Sequence, residues 1–327
     1  MLTLDKLKIV VPYADCIGEI DKTKFNTLSK DGVVTAYKYQ QVSPYLLYIE
    51  QDLEDDELII EFTGKILGPR YSELINKMNI RQCIENINAL KLCTLDIDSI
   101  LNDAKVVKAD VTQDAEYPDI SKLTRELQTC IRNNERYTAI NKRGNFIVEK
   151  NVKTKNRKVR LTIYDKAKEM ALQENQQWMC SMSAADRQCL CDYFKDKIRF
   201  ELNLNSIKAI KDLLGIKDTL LSSVLNAEAT PIIAFLDKIL VDNSTKRVAN
   251  SLQDAARLAL LKENSYDMKA IENLARSYMS PKTKLSHALQ PYRELCEAYN
   301  GTGGVGIKEQ LKEILLEIFL VGFVNIL

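Results

Sequence analysis

Three segments of the chain alternate apolar and polar residues with a period of two, the pattern of a β-strand with one apolar and one polar face. They are 107–114 (VKADVTQD), 159–164 (VRLTIY) and 198–204 (IRFELNL). An apolar strand face must be covered by another layer of the protein. The segments therefore predict a sheet that packs on helices. If the strands are neighbours, their polar residues share the other face.

The alternating pattern is replaced by helical spacing near residue 205. Residues 1–205 mix strand-like and helical segments, whereas 206–327 have a helical pattern almost throughout. The 327 residues are 46% hydrophobic and 28% charged, which is typical of a globular protein with a substantial core. We predict an α+β fold, with a central antiparallel sheet flanked by helices in a domain of residues 1–205. A mainly helical accessory domain of residues 206–327 follows.

Helices are also predicted between the strands, at 71–92 and at 166–195, with a break near 181–183. The end of the chain, 314–327 (ILLEIFLVGFVNIL), is strongly apolar. It is 14 residues long and contains Glu317, whereas a membrane-spanning helix needs ~20 apolar residues. We predict a buried or partner-docking helix there, and no membrane partner.

The composition excludes several kinds of site. His287 is the only histidine, so metal sites built from several histidines are excluded, including those of nicking enzymes with paired histidines. The eight cysteines have no CxxC or zinc spacing and the N-terminus has no signal-peptide pattern, which predicts free thiols in a reducing cytoplasm. A net charge of +1 argues against DNA binding over the whole surface and is compatible with a local basic groove.

Carboxylates from two of the alternating segments fall on the predicted polar face. They are Asp110, Asp114 and Glu201. Carboxylate oxygens are the ligands that hard divalent cations prefer. A cation bound there would polarise a phosphodiester and stabilise charge on the transferring group. These three residues are therefore candidate metal ligands.

The same face carries a tyrosine and two arginines, and a lysine lies two residues after the tyrosine. Tyr164 is a candidate covalent nucleophile. Arg160, Lys166 and Arg199 are candidates to bind phosphate oxygens or stabilise the transition state. An interpretation without chemistry also exists, because the solvated face of an antiparallel sheet alternates in the same way. Cross-strand pairs of opposite charge stabilise such a face by ~0.2–1 kcal/mol each.

Residues 141–170 form a basic segment, with ten Lys and Arg against three acidic residues in a chain of net charge +1. A basic segment beside the candidate nucleophile is suited to contacting the phosphate backbone of a nucleic acid. A solvated basic hairpin is the alternative. The candidate DNA-binding residues ahead of Tyr164 are Lys142, Arg143, Lys150, Lys153, Lys155, Arg157 and Lys158.

The motifs KADVTQD (108–114), VRLTIYDKAKE (159–169) and IRFELNLNS (198–206) occur in this order. They resemble the motifs of the replication initiation factors (Rep) of rolling-circle plasmids and the related filamentous-phage replication nickases. That pattern is an Arg-hydrophobic-Asp strand with a second Asp four residues later, an R-h-Y-[DN]-K strand and an R-h-E strand. The chain departs from it at Lys108, where the pattern has arginine. It also has its arginine at Arg160, four residues before the tyrosine rather than two.

The resemblance implies a site-specific DNA nicking and joining enzyme. Tyr164 would be the nucleophile that becomes linked to a 5′-phosphate, and Asp110, Asp114 and Glu201 would hold Mg²⁺ or Mn²⁺. The implied substrate is double-stranded origin DNA with a single-stranded nick region, and a host helicase and a second copy of the chain are possible partners. Two other classes stay open: a non-catalytic DNA-binding replication or copy-control protein of the same fold, and an interaction protein with no nucleic-acid role.

Overall fold

The computed structural model describes residues 1–40, 45–117, 119–121, 123–124, 127, 137–142, 144–150, 159–240, 249–264, 267–278, 285–301 and 307–324. Within these residues the protein is of the α+β class. It has a large antiparallel sheet and a helical C-terminal region, and both features confirm the coarse prediction from the sequence.

The described residues form twelve strands. They are β1 (Leu4–Val11), β2 (Ile17–Gly18), β3 (Asn26–Lys30), β4 (Val33–Tyr39), β5 (Leu46–Asp52), β6 (Glu57–Thr63), β7 (Thr94–Leu95), β8 (Lys105–Glu116), β9 (Tyr137–Lys142), β10 (Asn145–Lys150), β11 (Val159–Asp165) and β12 (Lys197–Leu204). Strands β2 and β7 pair with each other, and the other ten form one sheet in the order β3-β4-β5-β6-β1-β8-β12-β11-β10-β9. Every neighbouring pair in this sheet is antiparallel.

The large sheet consists of two halves that follow the same path. In the first half, β1 is central, and β3 to β6 form a meander that begins at the sheet edge and returns beside β1. In the second half, β8 is central, and β9 to β12 repeat that path. Strands β1 and β8 pair with each other, so the two halves meet at the centre of the sheet.

One face of the sheet centre is apolar and buried, as the alternating segments predict. Leu202 of β12 lies opposite Val111 of β8 and Leu161 of β11, which makes the three predicted strands neighbours. The first half continues the same apolar face. Its buried members at the sheet centre include Leu7, Ile9, Ile60, Phe62, Val111, Leu161, Phe200 and Leu202.

Helices lie between the strands along the chain and form the C-terminal region. The α-helices are Ile80–Ala89, Ile97–Asp103, Lys166–Met170, Gln173–Met179, Ala184–Phe194, Ile207–Leu214, Leu221–Leu225, Pro231–Ile239, Leu252–Glu263, Met268–Tyr278, Leu285–Gly301 and Ile307–Val324. The 3₁₀ helices are Ala14–Cys16 and Gly64–Glu73.

Local sequence explains where several helices begin and end. Ser183 caps Ala184–Phe194, because its hydroxyl accepts the backbone N–H of Asp186 at 3.1 Å. This cap coincides with the break predicted near 181–183. Gly215 ends Ile207–Leu214 in the left-handed region, with φ 67°, where a side chain would be strained.

The helix predicted at 71–92 is shorter than expected. Gly64–Glu73 forms a 3₁₀ helix, and the α-helix begins only at Ile80 and ends at Ala89. Between them, Ile75 exchanges two backbone hydrogen bonds of 2.8 Å with Leu4 of β1. Those backbone groups are therefore committed to the sheet and cannot continue a helix.

The chain divides into two compact units. The first takes in residues 1–124, 133–238 and 315–327, and the second takes in 125–132 and 239–314. The boundary predicted at 205 coincides with the end of β12, but the next helices belong to the first unit. Leu221 donates its backbone N–H to Ala104 at 2.8 Å, and Val106 donates to Thr219 at 2.7 Å, which ties these helices to β8.

The second unit has its own apolar core between Leu252–Glu263, Met268–Tyr278 and Leu285–Gly301. The buried residues of this core are Leu258, Leu261, Ile271, Leu289 and Leu295. In the last helix, Ile307–Val324, Leu311 and Leu315 are buried. Across the described ranges, no helix has both the length and the apolarity needed to cross a membrane.

Replacing Leu202 by alanine should lower the free energy of unfolding by about 2–5 kcal/mol, because Leu202 is 0% exposed and its removal leaves a cavity between three strands. Urea denaturation measures this change. Leu252→Ala is the matched control, since Leu252 is 89% exposed and its truncation should change stability by less than about 0.5 kcal/mol. Equal effects of the two substitutions would contradict the assignment of the core face.

Candidate active site on the polar face of the sheet

The opposite face of β8, β12 and β11 carries most of the residues that the sequence predicts for the site. Strand β12 lies between the other two, so side chains from three strands meet there. The directly opposite pairs on this face are Arg199 with Asp114 and Tyr164, Glu201 with Thr112 and Thr162, and Asn203 with Asp110 and Arg160.

Tyr164 is hydrogen-bonded to Glu201. The Tyr164 hydroxyl donates to Oε2 of Glu201 at 3.1 Å, and Oε1 of Glu201 accepts from Nδ2 of Asn203 at 3.0 Å. Burial, together with the charge of Glu201, raises the pKa of Tyr164 well above its ordinary value. The phenol is therefore protonated at neutral pH, and Glu201 is the base positioned to take its proton.

Asp110 is a second carboxylate beside this pair. It is partly buried and lies opposite Asn203. Burial and the charge of Glu201 raise the pKa of Asp110 to about 7, although a hydrogen bond from Asn203 and the charge of Lys6 act in the other direction. Two carboxylates that disfavour each other's charge form a site that a proton or a cation stabilises.

Lys6 of β1 adds a cation at the edge of the site. It lies opposite Asp110, and its Nζ is 2.7 Å from Oε1 of Glu61. Burial lowers the pKa of Lys6, but the hydrogen bond to Glu61 and the charges of Glu61, Asp110 and Glu201 outweigh it and raise the pKa. Lys6 therefore keeps its charge next to the two carboxylates of the site.

A buried ion pair, Arg199 with Asp114, occupies the part of the polar face that is level with Tyr164. Nε and Nη2 of Arg199 donate to the two carboxylate oxygens of Asp114 at 2.6 and 2.7 Å. Nη1 of Arg199 donates to the Tyr71 hydroxyl at 2.7 Å and lies 3.4 Å from Oδ1 of Asp5. A buried pair of this kind is stable only when its surroundings also offset its charge. Tyr71 accepts a hydrogen bond from the guanidinium, and the nearby Asp5 carboxylate adds a second negative charge.

Tyr71 connects Arg199 with Lys166. Its hydroxyl accepts from Nζ of Lys166 at 2.9 Å as well as from Nη1 of Arg199 at 2.7 Å. Burial raises the pKa of Asp5, but the charges of Arg199 and Lys166 outweigh it and lower the pKa. Lys166 also forms an ion pair with Glu169 at 2.5 Å. Each buried charge in this group therefore faces an opposite charge.

Apolar and aromatic side chains cover the ion network. They are Tyr71, Leu74, Met170, Trp178, Met179, Leu190 and Phe194. The Tyr71 ring meets the Trp178 ring edge-on at 5.4 Å between centroids, and the Arg199 guanidinium lies 5.4 Å from the Phe194 centroid. The helices after Tyr164 thus seal this part of the face, whereas Asp110, Glu201 and Lys6 stay partly exposed.

Three of the predicted site residues are buried and bound to protein partners: Arg199, Lys166 and Asp114. Arg199 and Lys166 are predicted to bind phosphate, but their side chains are 0% and 1% exposed and their donors are bound to protein acceptors. Asp114 is predicted to bind a metal, but Arg199 takes both of its oxygens. In this arrangement Asp114 and Arg199 join β8 to β12, and Lys166 joins the helix after β11 to Tyr71.

Asp110 and Glu201 are the carboxylates of the predicted set that fit a hard cation. Among the described residues, no three Asp, Glu, His or Cys side chains are grouped to hold a metal ion. Mg²⁺, however, is often held by one or two carboxylates, with waters and substrate phosphates as the other ligands. The donors present therefore fit Mg²⁺ or Mn²⁺ with two protein carboxylates rather than three.

Arg160 lies on β11, four residues before Tyr164 and about 13 Å from it along the strand. Its Nη1 is 3.9 Å from Glu149, and its side chain is 42% exposed. Among the predicted DNA-binding residues, Lys142 is exposed at the end of β9 and Lys150 ends β10. The others lie outside the described residues: Arg143, Lys153, Lys155, Arg157 and Lys158.

Sequence reasoning missed Asp5, Lys6 and Tyr71. The first two belong to LDKLKIVV, a strand whose charged residues signal a polar face that could have been added to the other three. Tyr71 lies in a 3₁₀ helix with no motif around it, and no signal in the sequence marks it as a partner of Arg199.

Comparison of the chain with models of protein families gave no match, and comparison with curated proteins gave none either. The geometry itself defines a tyrosine, a base and a second carboxylate on one sheet face, backed by a buried ion network.

The raised pKa of Asp110 makes stability depend on pH. The folded pKa of about 7 lies above the ~3.9 of an unfolded aspartate, so the folded state binds this proton more tightly. The resulting stabilisation is present below about pH 4 and disappears as the pH rises towards 7. At pH 8, Asp110→Asn should therefore be more stable than the wild type by at least ~1 kcal/mol in urea unfolding with EDTA, and the difference should shrink towards pH 4.

Asp55→Asn is the control for this measurement, since Asp55 lies exposed in the β5–β6 turn. A pH-independent difference between Asp110→Asn and the wild type would contradict the assigned proton binding.

Asp114→Asn should lower the free energy of unfolding by about 3–5 kcal/mol, because it leaves the buried Arg199 without its bidentate counter-charge. It should leave Mn²⁺ affinity unchanged when the folded variant is titrated. Glu201→Gln should show the opposite pattern, with weaker Mn²⁺ binding and a smaller decrease in stability. A large decrease in Mn²⁺ affinity in folded Asp114→Asn would contradict the two-carboxylate site and support the predicted site with three carboxylates.

Proposed function

We propose that the protein initiates rolling-circle replication by nicking and rejoining origin DNA through Tyr164. The observation that carries the proposal is the hydrogen bond from Tyr164 to Glu201, beside Asp110 and on the partly exposed part of the polar face. A nucleophile, a base in contact with it and an adjacent second carboxylate are the groups that phosphoryl transfer to a tyrosine requires. The order of the three motifs, which resembles that of Rep proteins, supports the same assignment.

In the proposed reaction, the Tyr164 oxygen attacks the phosphorus of one phosphodiester and its proton passes to Glu201. The bond from phosphorus to the 3′ oxygen breaks, and that oxygen takes a proton from water and leaves as a 3′-hydroxyl. The 5′-phosphate stays on Tyr164 as a phosphotyrosyl diester. Attack by a 3′-hydroxyl reverses these steps and joins the strand, so neither direction needs an external energy source.

Asp110 and Glu201 are the proposed holders of Mg²⁺ or Mn²⁺, and the bound cation would offset charge that develops on the phosphate oxygens. The high pKa of Tyr164 means that attack depends on the base, because almost no phenolate exists at neutral pH. Arg160 and Lys6 are partly exposed, and their charges are proposed to attract the phosphates of the bound strand. Arg199 and Lys166 act as positioning residues that hold the strand and helix on either side of the site.

The proposed substrate is double-stranded origin DNA with a single-stranded nick region, and the proposed compartment is the cytoplasm. The exposed Lys142 and the rest of the basic segment around it are proposed backbone contacts. A host helicase and a second copy of the chain are proposed partners. The helices of the second unit are the proposed surface for origin recognition, dimerisation or helicase docking.

A covalent-adduct assay tests the function. The protein is incubated with a supercoiled plasmid that carries the DNA flanking its own gene, with Mn²⁺ or with EDTA, and is run on a denaturing gel. Wild type should form a Mn²⁺-dependent protein–DNA band. Tyr164→Phe should form none, because it lacks the attacking oxygen. Glu201→Gln should slow its formation by about 10²–10⁴-fold, because the variant has no base there.

Tyr13→Phe is the matched control, since Tyr13 is 48% exposed and lies outside the candidate site, so its variant should form adduct at the wild-type rate. An adduct formed by Tyr164→Phe would contradict the assignment of the nucleophile. DNA binding by the wild type with no nick and no adduct would instead identify a non-catalytic replication or copy-control protein.

A further inference from the structure

Two lysines face each other where the halves of the sheet meet. Lys8 of β1 lies directly opposite Lys108 of β8, two residues beyond the pair of Lys6 with Asp110. Side chains directly opposite in an antiparallel pair have Cβ atoms about 4.5–5.5 Å apart, so like charges there repel each other. Lys108 is exposed and Lys8 is partly exposed. The centre of the polar face therefore carries a repulsion that an anion would relieve.

Neighbouring glutamates do not neutralise this pair. Glu61 is already hydrogen-bonded to Lys6 at 2.7 Å, and Lys8 lies 3.8 Å from its other oxygen. Glu50 is paired with Lys38 at 3.0 Å. Lys108 forms no ion pair within the described part of the chain. Lys6 and Lys8 thus share Glu61, and Lys38 has Glu50, so the lysines outnumber the glutamates and the charge of Lys108 is the surplus.

The repeated path of the sheet accounts for the position of these cations. Strands β5 and β6 carry Tyr48 and Glu61, just as their counterparts β11 and β12 carry a tyrosine and a glutamate. Strand β1 supplies Lys6 and Lys8, whereas its counterpart β8 supplies Asp110. Nζ of Lys8 lies 5.0 Å from the Tyr48 ring centroid, which holds the ammonium at the surface. The first half of the sheet thus presents Lys6 where the second half presents Asp110, and each half supplies one lysine of the Lys8–Lys108 pair.

The lysine pair adjoins the candidate active site. Lys108 and Asp110 are two residues apart on β8, which is about 6.6 Å along the strand. That spacing is comparable with one nucleotide of an extended DNA strand. The register places Tyr164 level with Asp114, which is six residues and about 20 Å along β8 from Lys108. A strand with its scissile phosphate at Tyr164 would therefore bring a phosphate about three nucleotides away within reach of the lysines.

We infer that Lys8 and Lys108 form a phosphate-binding subsite for the DNA strand that is cut at Tyr164. The inference rests on the proposed function, since it names the part of the substrate that the lysines contact. The subsite needs no divalent cation, because its own charges attract the phosphodiester. It is separate from β10 and β11, the described strands of the basic segment, which lie on the other side of β12 from β8.

Fluorescence anisotropy tests the subsite without any cleavage step. A labelled single-stranded oligonucleotide covering the nicked strand is titrated in EDTA over a series of KCl concentrations. The combined variant Lys8→Gln with Lys108→Gln should bind about tenfold more weakly at low salt. Its slope of log affinity against log salt should be shallower by about 0.7 for each phosphate that the variant no longer binds. Its melting temperature should equal or exceed that of the wild type, because the repulsion between the lysines is gone.

Lys30→Gln is the matched control, since it removes one charge from the edge strand β3 and should bind as the wild type does. Wild-type affinity and salt slope in the folded double variant would overturn the subsite. If the wild type forms the Tyr164 adduct in that case, the nicking function stands without it. If the lysine variant binds DNA more weakly but the wild type forms no adduct, the phosphate subsite is supported and the proposed nicking function is contradicted. If the wild type binds no DNA, both are overturned.

Discussion

The buried ion pair between Arg199 and Asp114 is the interaction on which the arrangement of the polar face depends. Removing both charges from water costs several kcal/mol for each ion, and that cost is offset only when every donor has a partner. The partners come from separate parts of the chain: Asp5 from β1, Tyr71 from Gly64–Glu73, and the pair itself from β8 and β12. The network is therefore complete only when both halves of the sheet and the covering 3₁₀ helix have assembled, which couples folding to the geometry of the site.

The same network divides the polar face into a sealed part and an accessible part. Tyr164 stands at the boundary, with Lys166 two residues after it on the sealed side and Glu201 in contact with its hydroxyl on the accessible side. A buried phenol is a poor nucleophile by itself, so the proposed reaction depends more on a base held in place than on the intrinsic reactivity of the tyrosine. A rigid sheet holds the charged groups in position before the substrate arrives. That preorganisation is its contribution to the proposed strand transfer.

Alternation in three segments is enough to predict the antiparallel sheet, its apolar face and the side chains gathered on the other face. Leu202, Val111 and Leu161 confirm the apolar face. The sequence could not show which charges pair with each other, because alternation places a side chain on a face but does not set its partner. For this reason the sequence could not show that Arg199 and Lys166 are buried with their donors bound to protein acceptors. The repeated path of the two halves was equally hidden, because it is a property of strand order and has no fixed sequence period.

The central claim is that Tyr164, and no other tyrosine of the sheet, becomes linked to DNA. The most direct test isolates the covalent complex formed with Mn²⁺, digests it with nuclease and trypsin, and locates the residual nucleotide by mass spectrometry. The expected result is a nucleotide mass on the peptide of residues 161–166 (LTIYDK), which contains Tyr164 as its one tyrosine. A nucleotide on Tyr48, in the equivalent strand of the other half, or on any other peptide would contradict the account.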